Sequence, residues 1–189
     1  MRIKYEIEIR WTAFPLHPNT PEEGLTLEEL FAGRAVDIDE MMARLKKVAH
    51  EEGLPLGERR KTFNSRFAQE LGKWAEFRGR GEEFHHAVFR AYFADGKNIG
   101  KISNLVDLAN SVDLPGEEAQ KVLETGAFKE PVDLDWSRAR EMGVTAVPTF
   151  VINEQAVVGA QPYRVLERFV MTNNVKERDP HRVGSASAR

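Results

Sequence analysis

Cysteine is absent from this chain of 189 residues. Its absence excludes a disulfide, a cysteine nucleophile and a thiolate metal ligand within the chain, and it fits a reducing compartment. An excess of one charge sign is missing as well. With 27 Lys and Arg against 30 Asp and Glu, the formal net charge is -3, which gives no electrostatic basis for binding nucleic acid or an anionic membrane. No apolar run approaches the ~20 residues of a membrane span. The amino terminus, MRIKYEIEIRW, interleaves charges with apolar residues and so lacks the uninterrupted core of a secretory leader. A cytoplasmic location is the expectation. Serine catalysis has no support either, because no G-x-S-x-G occurs and neither Ser65 nor Ser103 has a recognisable base nearby in sequence. No internal repeat is present, and the length suits one domain with an inserted subdomain.

The segment from Gly143 to Pro162, GVTAVPTFVINEQAVVGAQP, is the most informative stretch that is present. Thr149, Phe150, Val151 and Ile152 form an apolar, β-branched run suited to a strand. Pro148 cannot donate to a ladder, so it belongs at the strand's start or on an edge. Asn153 and Glu154 offer a turn, Ala156 to Val158 a second short strand, and Gly159 a bend. Beyond Pro162, the residues Val165, Leu166, Phe169 and Val170 recur at helical spacing. The unit reads as strand, hairpin, strand, helix.

Upstream, Arg2 to Trp11 alternates charge with Ile3, Tyr5, Ile7, Ile9 and Trp11, which predicts a strand with one apolar face, at or near a sheet edge. A proline-rich loop from Phe14 to Gly24 leads into helices. Asp37 with Glu40 reads as a capping box ahead of Met41, Leu45, Val48 and Ala49. Asn64 or Ser65 caps a helix carrying Phe67, Leu71, Trp74 and Phe77, and the next helix carries Val88, Phe89, Tyr92 and Phe93 before Gly96 ends it. Ser103 is expected to cap a helix with Leu105, Leu108, Ala109 and Val112, and Pro115 to start one through Val122 and Leu123. Residues 35–131 are thus expected to be a helical insertion between β-containing parts at 1–34 and 132–174, with 175–189 a disordered tail.

Candidate chemistry outside the hairpin is thin. Glu83 and His86 stand three apart on one helical face beside Glu82 and His85, but a di-iron bundle needs that pair twice plus two further glutamates, and no second copy exists. A solvated polar stripe is the expected reading. His50 is expected to be a charge partner for a helix C-terminus, and His181 falls in the tail. Arg78-Gly79-Arg80-Gly81 lacks the lysine and strand-to-helix context of a phosphate loop and reads as a turn between helices. His17, in the loop after the first predicted strand, is the histidine of most interest.

The hairpin resembles the second half of the thioredoxin fold as it occurs in the DsbA family, particularly FrnE-like oxidoreductases and the related 2-hydroxychromene-2-carboxylate isomerases. The matching text is Gly143-Val144-Thr145-Ala146-Val147-Pro148-Thr149-Phe150 followed by Gly159-Ala160-Gln161-Pro162. In the family's order come also Arg10 to Pro18, which looks like its second strand with an F-x-L-x-P exit loop, then Glu23-Gly24, Thr62 to Ala68, Phe89 to Phe93, and Gly96 to Ile99. The likeness runs from about Ile7 to Phe169.

The resemblance implies an α/β, thioredoxin-like fold of DsbA type with a large helical insertion. It also implies an N-terminal truncation, since the family's first strand, its Cys-Pro-Trp-Cys type motif and its first helix precede the strand matched near Ile7. That first strand is central in the family, so its loss would leave Ile3 to Trp11 and Thr149 to Ile152 without a shared partner, and direct pairing of those two segments or a homodimer is expected to close the gap. In the family the bond before the proline matched by Pro148 is cis, a state found at only ~5% of X-Pro bonds. The resemblance places substrate binding at Ala146, Val147, Pro148, Phe14, His17 and Asn64, with a thiol peptide or glutathione as the partner. It implies no catalytic residue, metal or cofactor here. The expected activity is that of a thiol-disulfide oxidoreductase rendered redox-inactive by the lack of cysteine. The alternatives are a non-catalytic peptide or glutathione binding module, or a glutathione-dependent isomerase-like protein.

Overall fold

Helical periodicity between residues 38 and 141 is realised almost throughout in the computed structural model, which describes residues 1–179. The chain divides into two compact units, one of residues His17–Trp136 and one of Met1–Leu16 with the segment from Ser137 onward. The fold is mixed α/β with small sheets, as expected for a DsbA-type thioredoxin fold carrying a helical insertion.

In the larger unit, β1 (Leu25–Thr26) pairs antiparallel with β2 (Lys61–Thr62), Leu25 opposite Thr62. Gly24 makes this approach possible: its φ is +77°, and a Cβ there would stand 2.5 Å from the Thr62 carbonyl oxygen. Thr26 then caps the short α1 (Leu27–Leu30) through a reciprocal capping box with Glu29. The expected box at Asp37 supplies a bond from the Glu40 amide to Asp37 Oδ1 at 2.9 Å, opening α2 (Ile38–Glu51). Leu45 and Val48 of α2 stay exposed.

The core lies among α3 (Arg66–Phe77), α4 (Gly81–Phe93), α5 (Ile102–Asn110) and α6 (Gly116–Thr125). Leu71, Trp74, Phe84, Val88, Leu105, Leu108 and Leu123 are buried together, each worth about 1.5–3 kcal/mol in transfer free energy. Asn64 supplies the cap at the start of α3, its Oδ1 accepting the Arg66 amide at 2.9 Å, whereas α5 begins at Ile102 with Lys101 and not Ser103 as its capping residue. Arg78 to Arg80 form the turn from α3 to α4. The expected boundaries at residues 34/35 and 131/132 both fall inside this unit, because the β1 to β2 pairing and the bond from Arg66 to Asp133 bind those segments to the helices.

A seventh helix, α7 (Lys129–Glu141), forms where the sequence shows no clear apolar period. Its inner stripe is Val132, Asp135 and Ala139, spaced three and four apart, and the charged Asp135 in the middle hides the apolar period. Asp135 is accommodated there by Lys73 Nζ at 2.7 Å.

In the smaller unit, β3 (Thr149–Ile152) and β4 (Gln155–Val158) form the expected hairpin, Ile152 opposite Gln155 and Thr149 opposite Val158, with Asn153 at φ 56° in the turn. The helix α8 (Tyr163–Thr172) follows with Phe169 and Val170 buried. The expected strand over Arg2 to Trp11 does not form. The segment contributes one isolated antiparallel bridge, Tyr5 to Glu177, and among the described residues it has no pairing with β3. An alternating pattern specifies a strand only when a neighbour takes up its backbone groups along its length, and among the described residues the ladder of this segment stops at the single bridge between Tyr5 and Glu177. Ile3 is accordingly 90% exposed while Tyr5 is fully buried.

The start of the expected disordered tail, residues 175–179, is ordered by that same bridge. The amide of Glu6 donates to Lys176 and that of Arg178 to Lys4, at 2.9 and 2.8 Å, and Arg178 Nε donates to the carbonyls of Arg2 and Tyr5. Residues 180–189, including His181, lie outside the described residues.

Candidate functional site

The hairpin's hydrogen-bond phase decides which backbone groups are available. A two-residue turn closes on the Ile152 and Gln155 pair, and the Gly159 amide donates to the Pro148 carbonyl at 2.7 Å. Alternation between these points directs Ile152, Phe150 and Pro148 toward β4, and Val147, Thr149 and Val151 toward the opposite edge. That edge has no partner strand among the described residues. Val147 is 45% exposed, and its amide and carbonyl make no hydrogen bond among the described residues.

The Val147–Pro148 peptide bond is cis. Ala146, half-buried, receives the Thr149 hydroxyl on its carbonyl at 2.6 Å, which fixes the chain just ahead of the exposed pair. Phe14 belongs to this unit too, half-buried, with its carbonyl accepting the Leu16 amide at 3.1 Å. An open depression of ≈ 430 Å³ lined by Arg138, Val144, Val151 and Ala156 lies in the same unit and contains none of the expected site residues.

His17 and Asn64 stand in the larger unit and share one loop. Asn64 Nδ2 donates to the carbonyls of Pro18 and Thr20 at 3.1 and 2.9 Å, so its amide is committed at both ends, strapping the loop on one side and capping α3 on the other. His17 is half-buried, and Thr20 donates to its carbonyl from both amide and hydroxyl. Burial, then the positive charges of Arg34 and Arg59, depress the His17 pKa below the usual histidine value, favouring the neutral imidazole.

The Glu82 to His86 cluster divides between surface and interior. Glu83 pairs with Arg80 at 3.2 Å, while His85 turns inward to stand 3.6 Å from Glu76 Oε1, with Lys73 bridging Glu76 and Asp135 on the same face. Among the described residues no group of three or more His, Asp or Glu side chains is arranged to hold a metal ion. Sequence reasoning missed Arg59, which stacks over Tyr92 and Phe93. No local pattern links a loop arginine to an aromatic pair more than thirty positions away.

The described residues contain no helix long and apolar enough to cross a membrane. The uncharacterized protein YwbO of Bacillus subtilis is 33% identical over 112 residues, which are 59% of this chain and 52% of that protein, so the chain spans about half the length of this curated relative. The crystal structure of a probable DsbA oxidoreductase from Streptomyces coelicolor superposes with a TM-score of 0.81 at 28% identity, covering 89% of this chain and 76% of that one. A 2-hydroxychromene-2-carboxylate isomerase shares the fold, with a TM-score of 0.72 at 20% identity over 89% of this chain and 82% of its own. Residues 1–170 match the DSBA-like thioredoxin domain, and the chain belongs to that family.

Proposed function

We propose that this chain holds an extended thiol peptide or glutathione along its hairpin edge without itself performing thiol-disulfide exchange. One observation carries the reading: Val147, exposed and with both backbone groups unused, continues directly into the unpaired edge of β3. An extended ligand can add to such an edge through main-chain hydrogen bonds, a mode that requires no reactive side chain. Exchange requires an attacking thiolate, and the chain has no cysteine to supply one.

The second reading is a thiol-disulfide oxidoreductase whose cysteines lie outside this sequence. It is favoured by the similarity to the Streptomyces protein. The two readings agree on the role of the edge and differ on turnover.

Titration of ¹⁵N-labelled protein with glutathione and with a short cysteine-containing peptide tests the holding role. Saturable shifts confined to Val147, Thr149, Val151 and their neighbours are expected, and no saturable shift there would sink the proposal. In an insulin-reduction assay this chain is expected to match buffer; turnover above buffer would show a redox chemistry that the residues do not account for.

A further inference from the structure

Arg59 is held as an anion-binding arginine would be held, and no carboxylate among the described residues pairs with it. Its Nη1 donates to the Tyr92 hydroxyl at 2.5 Å, and the guanidinium lies 5.1 Å from the Tyr92 ring centroid and 5.6 Å from that of Phe93. Those two rings meet edge to face at 4.7 Å, and the Tyr92 hydroxyl is tied in turn to Thr62 Oγ1 at 3.1 Å. The guanidinium is therefore oriented by contacts that leave its charge uncompensated. Neither Arg59 nor Arg34 forms an ion pair among the described residues. Both positive charges act on the half-buried imidazole of His17.

We propose that Arg59, oriented by Tyr92 and Phe93 and accompanied by Arg34 and His17, forms a binding site for a carboxylate. Four features support it. Side-chain entropy of Arg59 is already spent in the free protein, so little is lost on binding. With Nη1 engaged by Tyr92, the remaining guanidinium donors present a planar fork that can take both oxygens of a carboxylate. Arg34 adds charge from the surface. Burial and the two arginines disfavour protonation of His17, and a bound anion would oppose that effect. The site lies wholly in the larger unit and does not depend on the hairpin-edge reading.

The test uses acetyl-glycylglycine and its carboxamide as paired probes at constant ionic strength, followed by NMR of the intact chain. The acid is expected to shift the Arg59 Nε–H and the His17 ring signals saturably and to raise the His17 titration midpoint, whereas the carboxamide leaves them unchanged. Arg59→Gln is expected to weaken binding at least tenfold and Arg34→Gln, at an exposed position, about threefold. Equal responses to acid and carboxamide, or wild-type affinity in both variants, would overturn the site. Inorganic phosphate binding as tightly as the acid would overturn its assignment to carboxylate. Because these signals belong to other residues than Val147, Thr149 and Val151, failure here and failure of the holding role are separately visible.

Discussion

Arg66 lies over Trp136, its guanidinium carbon 4.6 Å from the ring centroid, while its Nε donates to Glu70 at 2.6 Å. The same guanidinium reaches Asp133 at 2.7 Å and the Lys129 carbonyl at 2.9 Å, so one side chain joins α3 to the first turns of α7. Glu70 is only 4% exposed, and without Arg66 its carboxylate would be buried and unpaired. Arg66→Met is therefore expected to cost about 3 kcal/mol in urea unfolding, and Arg66→Lys, which keeps charge but loses the fork, about half of that. In the double variant Arg66→Met with Glu70→Leu, the loss should be smaller than in Arg66→Met alone. A larger loss would mean that packing on Trp136, and not the buried carboxylate, dominates.

Gly57 is pressed against the end of α4. Its amide donates to the Phe93 carbonyl at 2.9 Å, and a Cβ at this position would stand 2.1 Å from the Ala94 carbonyl oxygen. Backbone on both sides leaves no flexible group to yield. Gly57→Ala should lower stability by about 2 kcal/mol, read from the urea midpoint at unchanged slope. The shift should also displace Arg59, two residues on, and so reduce the shift induced by acetyl-glycylglycine. Wild-type stability in this variant would show that the loop before β2 moves freely.

Tyr5 anchors the amino-terminal segment. Its ring is fully buried, and its hydroxyl donates to Glu167 Oε1 at 3.2 Å beside the Lys4 ammonium at 2.9 Å. Tyr5→Phe leaves Glu167 its lysine partner and is expected to cost about 1 kcal/mol. Tyr5→Ala removes the ring as well and is expected to cost about 3–5 kcal/mol. Hydrogen exchange gives the local readout, since the Glu6 and Arg178 amides are bonded across this junction. Their exchange should accelerate strongly in Tyr5→Ala and slightly in Tyr5→Phe; unchanged protection in both would refute the anchoring role.

Those three positions also show what the sequence could and could not disclose. Helices α3 to α6 were legible because their apolar residues recur on one face and their partners are each other, so local pattern and packing agree. The hairpin was legible for a similar reason, its two strands being neighbours in sequence. The amino-terminal segment has as clear a period as either, but a strand is completed by its neighbour, and the backbone partner of Tyr5 is Glu177, at the far end of the described chain. Of the candidate site, Ala146 to Thr149 could be read from the residues and the family resemblance. Asn64 could be read as a helix cap, but its strap to the Pro18 and Thr20 carbonyls, like the roles of Arg66 and Arg59, could not, because each is defined by contacts with side chains or carbonyls remote in sequence. His85 belongs to the same class, a polar residue on a predicted surface stripe that the fold turns inward.

The burial of His85 has a consequence for pH. With its side chain 19% exposed, burial above all, then the charges of Lys73 and His86, pushes its pKa down to about 4. In the unfolded chain the group titrates near 6.5. As pH falls through 6.5 the unfolded state takes up a proton that the folded state resists, so stability falls until about pH 4, below which both states are protonated and the contribution is constant. Partial exposure and the nearby Glu76 carboxylate reduce the full effect to about 2 kcal/mol. Urea unfolding at pH 7.5 and pH 4.5 should therefore show a drop about 2 kcal/mol greater for the wild type than for His85→Gln, which cannot be protonated. The comparison within each protein removes the contributions of His17 and the carboxylates, which are common to both. Equal drops would mean that His85 is protonated in the folded state at pH 4.5, held there by Glu76 Oε1, the buried oxygen that otherwise has no hydrogen-bond partner among the described residues.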